Sequence, residues 1–328
     1  KGVPKAEQNQ PAAKKASPKK EMKKALLFGI GASFFFSFTF VLNRQMNIGG
    51  GSWYWSSSLR YLFMLPILFF IVTAKKQLFP VIKDIKKNPI QWFIWSTVGF
   101  GFFYAPLSFA SAYGASWLVA GTWQLTIIAG ALMSPLFYTI IDGKKIKNHI
   151  PKKFLLVSLI ILIGIFLMLS EEARKISLID SILVVVPVLF AAFSYPLGNR
   201  KMMELCNNRL NTLQRVFGMT MCSIPFWIII VILGVNQTGI PSHNQIIQSL
   251  IVAVSSGVIA TIMFFKATDI VKGDSHKLAV IESTQVGELI FTLLGGVFIF
   301  NDNIPTVLGI IGIILVAIGM VVNSFIQE

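Results

Sequence analysis

Ten apolar stretches run through the chain, and the second five repeat the first five. Each stretch is close to the ~20 residues that a helix needs to cross ~30 Å of hydrocarbon. The first five cover 25–42, 53–72, 91–112, 117–141 and 154–169, and the second five cover 178–197, 213–235, 246–267, 278–300 and 306–325. The pattern predicts an all-α polytopic membrane protein with ten transmembrane helices.

The duplication is visible at the level of single residues. The matched positions, in chain order, are Asn43-Arg44 with Asn199-Arg200, Arg60 with Arg215, and Gln124 with Gln285. Because each copy has an odd number of spans, the two copies should lie in opposite orientations, as in many secondary transporters. The predicted organisation is a tail at 1–24, a first five-helix repeat at 25–170 and a second at 171–328.

The composition excludes an ordinary soluble protein, since 54% of the residues are hydrophobic and only 13% are charged. The net charge of +15 follows the predicted loops: with the amino terminus inside, 24 Lys and Arg residues lie on the inner side and three on the outer side. This asymmetry predicts a multi-pass protein of the cell membrane with both termini in the cytoplasm. The basic charge is therefore a topology signal and does not indicate nucleic-acid binding. The Lys-rich tail is predicted to be disordered.

The sequence lacks the residue patterns of the common enzyme classes. It has no Gly-rich phosphate loop ending in Gly-Lys-Ser/Thr, and no Ser/His/Asp set or His-Glu-x-x-His. Two cysteines and three scattered histidines have no metal-ligand spacing. We therefore expect no enzymatic activity, no cofactor, no metal and no ATP-driven pumping by this chain.

The ninth stretch carries the strongest candidate for chemistry. Glu282, Gln285, Glu288 and Thr292 fall on one face of a helix, and Glu288 lies about 16 Å beyond Lys277 at 1.5 Å per residue, near the membrane midplane. Polar residues at that depth must face a cavity or a partner. The stripe is either an interhelical hydrogen-bond seam or the lining of a transport pathway in which Glu288 exchanges a proton.

Further candidates for the pathway lie in the first half. Gln124 stands among apolar and small neighbours, and it either contacts substrate or joins helices. Trp123 and Tyr104 offer aromatic surfaces for an organic or cationic substrate, although such residues often form interfacial belts instead.

Four polar residues are interpreted as structural. Arg60 has Ser56 and Ser57 on its face, and Arg215 has Asn211 and Thr212. Both arginines could reach the membrane interface, so we expect anchoring roles for them, with substrate binding as the alternative. Asn43 and Asn199, at the ends of the first and sixth stretches, are placed in the same structural class.

The ten stretches in two fives, the Asn-Arg after stretches one and six, and the Arg early in stretches two and seven resemble the drug/metabolite transporter superfamily. Within it, the chain is similar to the ten-helix multidrug resistance efflux transporters, an EamA-like group. Small four-helix relatives couple protons through a Glu in their first helix, but no acid occurs between positions 25 and 42. Proton coupling would therefore need another group, and Glu288 is the candidate. Relatives commonly end spans four and nine with Gly-Glu, where this chain has Asp142-Gly143 and Asn301-Asp302.

The expected function is secondary active transport, with proton-coupled efflux of small organic molecules or drugs from a cavity between the halves. The expected partners are a small-molecule substrate, the lipid bilayer and protons as the coupling ion. Stretches one to four and six to nine should line the cavity, with five and ten packed outside. The alternatives are facilitative export or exchange of a metabolite such as an amino acid or a nucleotide derivative, and, from another class, a membrane-embedded enzyme.

Overall fold

A computed structural model describes residues 18–141, 144–150, 152–172, 177–271, 275–302 and 304–326. In these residues the backbone is almost entirely helical. The α-helices are α1 (Pro18–Ile48), α2 (Trp53–Ala74), α3 (Leu78–Lys87), α4 (Pro89–Ser96), α5 (Phe102–Ala110), α6 (Ser116–Trp123), α7 (Leu125–Leu132), α8 (Lys152–Glu172), α9 (Leu178–Cys206), α10 (Thr212–Thr238), α11 (His243–Val252), α12 (Thr261–Ile270), α13 (Ser275–Ser283), α14 (Val286–Phe300) and α15 (Val307–Ser324).

Eight helical segments of the described residues are long and apolar enough to cross a membrane. They are Lys19–Ile48, Trp53–Ala74, Pro89–Ala110, Lys152–Glu171, Leu178–Cys206, Thr212–Thr238, His243–Ile270 and Val280–Phe300. Two shorter apolar helices, Ser116–Leu132 and Val307–Asn323, accompany them. The chain is therefore a multi-pass membrane protein. The count of ten spans, the inverted orientation of the halves and the position of the termini stay predictions. The basic tail lies largely outside the described residues.

The predicted fourth span is wrong at its end. The sequence pattern extends the helix to Ile141, but α7 ends at Leu132 and a 3₁₀ turn follows at Ser134–Leu136. Pro135 explains the stop, because proline lacks an N–H and disfavours helical backbone at the residue before it. The chain then forms β1 (Tyr138–Ile141), which pairs antiparallel with β2 (Lys144–Lys147).

Two spans that the predicted repeat pairs with each other, the third and the eighth, contain π-helical turns. The first turn is Thr97–Gly101, between α4 and α5, and the second is Ala253–Ala260, between α11 and α12. Such turns inside helices often mark functional sites. At Gly99 the backbone of α9 approaches so closely that a Cβ atom would lie 3.3 Å from the Gly198 Cα.

Helices α8 and α15 pack closely through glycines. A Cβ atom on Gly164 would lie 2.6 Å from the Gly312 carbonyl oxygen, and one on Gly319 would lie 3.1 Å from the Ile161 nitrogen. Small residues let membrane helices approach at this distance. The Asn323 amide of α15 also donates to the Ser158 hydroxyl of α8 at 2.7 Å.

Two carboxylates bind the first residues of neighbouring helices. Asn301 ends α14 with left-handed backbone (φ 54°), a common conformation at helix ends. The next residue, Asp302, accepts hydrogen bonds from the Ser116 backbone N–H and hydroxyl at the start of α6. Glu171 of α8 accepts from the Thr306 N–H at the start of α15. Unpaired N–H groups at helix starts favour such negative partners.

Three tryptophans and two tyrosines lie in the centre of the bundle. Trp92, Trp117, Trp227, Tyr61 and Tyr104 are fully buried. The outer surface carries large apolar side chains instead, among them Phe70, Phe298 and Leu156. This arrangement is expected where the surrounding solvent is lipid.

Candidate functional site

Both glutamines that the sequence pairs, Gln124 and Gln285, stand at interruptions between helices. Gln124 separates α6 from α7, and Gln285 lies between α13 and α14. At both breaks a backbone N–H donates to the carbonyl oxygen three residues earlier rather than four. The Gln124 N–H donates to the Gly121 oxygen, and the Gln285 N–H donates to the Glu282 oxygen. Transporters commonly place their binding sites at such broken helices. The predicted ninth helix therefore contains a tightened turn at Gln285 that divides it into α13 and α14, although Val280–Phe300 still forms one apolar helical segment.

A cavity of about 450 Å³ opens beside the two breaks. Its volume lies in the range of small-molecule sites. The predicted site residues that line it are Arg60, Trp123, Gln124, Asn199, Gln285 and Glu288. Three residues of α8 and α15 also reach the cavity, namely Phe154, Met320 and Asn323. Spans five and ten therefore contribute to its wall, contrary to the expectation that they pack outside.

Glu288 is the most buried acid in the cavity wall, with 6% of its surface exposed. It lies in the first turn of α14, just after the break. The Gln124 side chain lies beside it, so the helical segments that contain Gln124 and Glu288 meet at this carboxylate. The Gln124 amide donates to the Ala120 oxygen at 3.1 Å. Among the described residues Glu288 forms no ion pair.

Gln285 and Thr292 differ in their position relative to the cavity. Gln285 lines it, and its amide nitrogen is buried without a hydrogen-bond partner. Thr292 is fully buried behind the wall, and its hydroxyl also has no partner. The predicted stripe therefore reaches the cavity through Glu282, Gln285 and Glu288 only.

Arg60 presents a buried cation to the same cavity. It is 5% exposed, and its guanidinium donates to the Thr39 hydroxyl at 3.0 Å. Thr39 in turn shares a hydrogen bond of 2.5 Å with Ser256. The serines predicted to neighbour Arg60 bind their own helix instead, since the Ser56 and Ser57 hydroxyls both donate to the Trp53 carbonyl oxygen.

Tyr104 does not line the cavity but lies behind Arg60. Its ring centroid is 4.1 Å from the guanidinium carbon of Arg60, and its hydroxyl accepts from the Asn43 amide at 3.1 Å. Tyr104 and Asn43 therefore act through Arg60, as a support for its position.

The second-half counterparts have different surroundings. The guanidinium carbon of Arg215 lies 5.9 Å from the Phe265 ring centroid, and Arg215 does not line the cavity. Its predicted neighbour Asn211 instead forms a capping box with Gln214 at the start of α10. Asn199 lines the cavity and donates to the Tyr195 oxygen at 2.8 Å.

Three lining aromatic rings form one surface. The Phe103 centroid lies 4.7 Å from that of Tyr195 and 5.0 Å from that of Trp123. The sequence pattern identifies Trp123 but not the other two. The Tyr195-Pro196 pair, with Tyr195 four residues before Asn199, is the signal that could have found one of them.

Arg200 also lines the cavity, which its Asn-Arg motif did not predict. Its guanidinium donates to the Gly130 oxygen of α7 at 2.7 Å. The matched Arg44 donates to the Ala112 oxygen, beyond the end of α5, at 3.0 Å. The arginines of both Asn-Arg motifs therefore donate to main-chain oxygens of another helical segment.

Within the described part of the chain, no group of three or more His, Cys, Asp or Glu could hold a metal ion.

Comparisons with known proteins place this geometry in a family. A family model described as "Putative multidrug resistance efflux transporter" (EmrE) matches residues 23–328. The uncharacterized protein YjlA of Bacillus subtilis (strain 168) is 48% identical over 309 residues, which cover 93% of this chain and 95% of that protein. An uncharacterized 42.1 kDa protein of Shouchella clausii, from the intracellular alkaline protease 3′ region, is 50% identical over 266 residues. These residues cover 81% of this chain and 70% of that protein.

One solved structure, described only as a crystal structure of protein, matches with a TM-score of 0.61 at 9% identity. It covers 92% of this chain and 97% of its own, and at that identity the match shows a shared fold alone. The family match spans nearly the whole chain and agrees with the resemblance found in the sequence. The chain belongs to the EmrE family of multidrug resistance efflux transporters, within the drug/metabolite transporter superfamily.

Proposed function

We propose that this protein is a secondary active transporter that exports small organic molecules from the cavity in exchange for protons. The observation that carries the proposal is the position of Glu288: a buried carboxylate in the cavity wall, where the two interrupted helical segments meet, with Gln124 as its neighbour. The family of efflux transporters supports the direction of transport.

A carboxylate at membrane depth is costly to keep ionised without a compensating charge. Glu288 therefore needs either a proton or a cationic group of the substrate beside it. Exchange of one for the other at a single site links substrate movement to proton movement. In this scheme Gln124, Gln285 and Trp123 contact the substrate, while Asn43, Asn199 and Tyr104 hold the wall.

The second candidate is facilitated export or exchange of a metabolite through the same cavity, without protons. The unpartnered amide of Gln285 favours a polar substrate in either scheme. A membrane-embedded enzyme is the weaker alternative, because the family is one of transporters. The proposed location is the cell membrane, with both termini in the cytoplasm.

A proton-flux screen tests this function before the substrate has been identified. Purified protein is reconstituted into liposomes that contain a pH-sensitive dye, and a library of small organic cations, amphoteric molecules and anions is added outside. A transported compound should change the luminal pH in wild-type liposomes but not in liposomes with Glu288→Gln. Transport of library compounds with no pH change would favour the facilitator. Turnover of a compound in detergent, without a second compartment, would favour an enzyme.

A further inference from the structure

The cavity contains a buried positive charge that the protein itself does not neutralise. Arg60 lines the cavity and is 5% exposed. Within the described ranges its guanidinium forms no ion pair, and its Nε is buried without a hydrogen-bond partner. A buried cation left without an anion is unfavourable by several kcal/mol.

The neighbours of Arg60 compensate only part of this cost. One hydrogen bond joins it to the neutral hydroxyl of Thr39. The rings of Tyr104 and Tyr61, with centroids at 4.1 and 5.7 Å, supply cation–π attraction. A guanidinium has five N–H donors in a planar fork suited to a carboxylate. The donors left over therefore fit an anion from outside the protein.

The opposite charge lies elsewhere in the same cavity. Glu288 lines it and does not pair with Arg60 in the described structure. The Phe103 ring centroid lies 5.7 Å from that of Tyr104, the ring that packs against Arg60. On the other side, Trp123 directly precedes Gln124, the neighbour of Glu288. Tyr195 belongs to the aromatic surface with Phe103 and Trp123. An apolar surface thus separates a fixed cation from a carboxylate.

From this arrangement we infer that the substrate is a small amphoteric molecule with an apolar body. Its carboxylate binds Arg60, its protonated amine binds Glu288, and its apolar part packs against Phe103, Trp123 and Tyr195. The inference rests on the proposed transport function and specifies its substrate class. A purely cationic drug would meet Glu288 but also an unneutralised Arg60, and like charges disfavour its binding.

Binding to matched probes tests the inference. The purified wild-type protein in detergent is titrated with phenylalanine, leucine and methionine, and with the decarboxylated amine and the deaminated acid of each. Intrinsic tryptophan fluorescence and calorimetry report the dissociation constant. At least one amphoteric probe should bind about tenfold or more tighter than both of its derivatives, because each derivative leaves one charge of the site unpaired.

Variants then assign each charge. Arg60→Gln should weaken binding of the amphoteric probe and the acid by about tenfold or more, and leave the amine unchanged. Glu288→Gln should weaken the amphoteric probe and the amine, and leave the acid unchanged. Arg60→Lys should restore part of the loss, and Arg215→Gln, at an arginine that does not line the cavity, should not weaken binding.

The inference would be overturned if amines bind as tightly as amphoteric probes, if no amphoteric probe binds the wild type, or if Arg60→Gln leaves acid binding unchanged. The wild-type comparison decides the question even if a variant does not fold. The assay uses no gradient, so its failure is separate from failure of proton coupling. Amphoteric binding without uphill transport would refute the proposed coupling alone.

Discussion

The Asp302 carboxylate accepts two hydrogen bonds from Ser116, one from its backbone N–H at 2.8 Å and one from its hydroxyl at 2.6 Å. Asp302 follows α14 and Ser116 begins α6, so this contact joins the two helical segments that are interrupted at Gln285 and Gln124. Both partners are buried. The contact thereby helps to hold the frame on which the cavity glutamines are mounted.

Removal of this carboxylate should destabilise the bundle. Asp302→Ala leaves the Ser116 N–H and hydroxyl without their acceptor, at a cost of about 1–3 kcal/mol. The apparent melting temperature in detergent should fall by several degrees. Asp180→Ala, at the exposed start of α9, is the matched control and should have little effect. An unchanged melting temperature for Asp302→Ala would mean that the contact adds no stability.

The contact between α8 and α15 should not tolerate a side chain at Gly164. A Cβ atom there would lie 2.6 Å from a main-chain oxygen that cannot move aside, and overpacking of this kind costs about 1–3 kcal/mol or more. Gly164→Val should lower the yield of monodisperse protein in size-exclusion chromatography. Gly295→Ala is the control, since its Cβ would meet only a Val41 methyl at 3.6 Å. Equal yields for both variants would refute the close packing.

The charge asymmetry predicts that the end of α10 faces the outside and that β2 faces the cytoplasm. Single cysteines replace Asn236 and Lys145 in a background that lacks Cys206 and Cys222. An impermeant thiol reagent added to intact cells should label position 236 and leave position 145 unlabelled. Labelling of position 145 from outside would contradict the inverted arrangement of the two halves.

Thr292 provides a test of the site's limits. Its hydroxyl is buried without a partner and lies outside the cavity wall. An unsatisfied buried polar group costs free energy, so Thr292→Val should leave stability equal or raise it by up to about 1 kcal/mol. Transport in proteoliposomes should be unchanged. A loss of transport with intact folding would return Thr292 to the pathway, as the sequence stripe suggests.

The sequence predicts the helical membrane architecture because the thickness and apolarity of the bilayer set the length and composition of each membrane-spanning stretch. It also singles out Glu288, Gln285 and Gln124 as candidate site residues, because polar residues are rare at membrane depth. All three line the cavity. The tightened turns at these glutamines were not predictable, since no Pro stands at either position and the nearby Gly121 and Gly287 are also compatible with an uninterrupted helix.

Side-chain direction explains the other differences. The aromatic ring of Tyr104 is suited to bind a substrate, but it packs against Arg60 and does not line the cavity. Arg60 and Arg215 are alike in sequence, yet only Arg60 lines the cavity. Such differences depend on the rotation of one helix against its neighbours, which a single sequence pattern does not encode. The strand after Pro135 was missed because an apolar run of that length also fits a helix.

The role of Glu288 is tested most directly by uphill transport in proteoliposomes with an imposed pH gradient. Glu288→Gln keeps the size and hydrogen bonding of the side chain but removes the exchangeable proton, and Glu282→Gln, at the same cavity wall, is the control. We predict that Glu288→Gln folds normally, loses gradient-driven accumulation and retains exchange of substrate down its own gradient, while Glu282→Gln still accumulates substrate. Uphill accumulation by Glu288→Gln at the wild-type rate would contradict the account and leave Glu288 as a hydrogen-bonding residue of the helix interface.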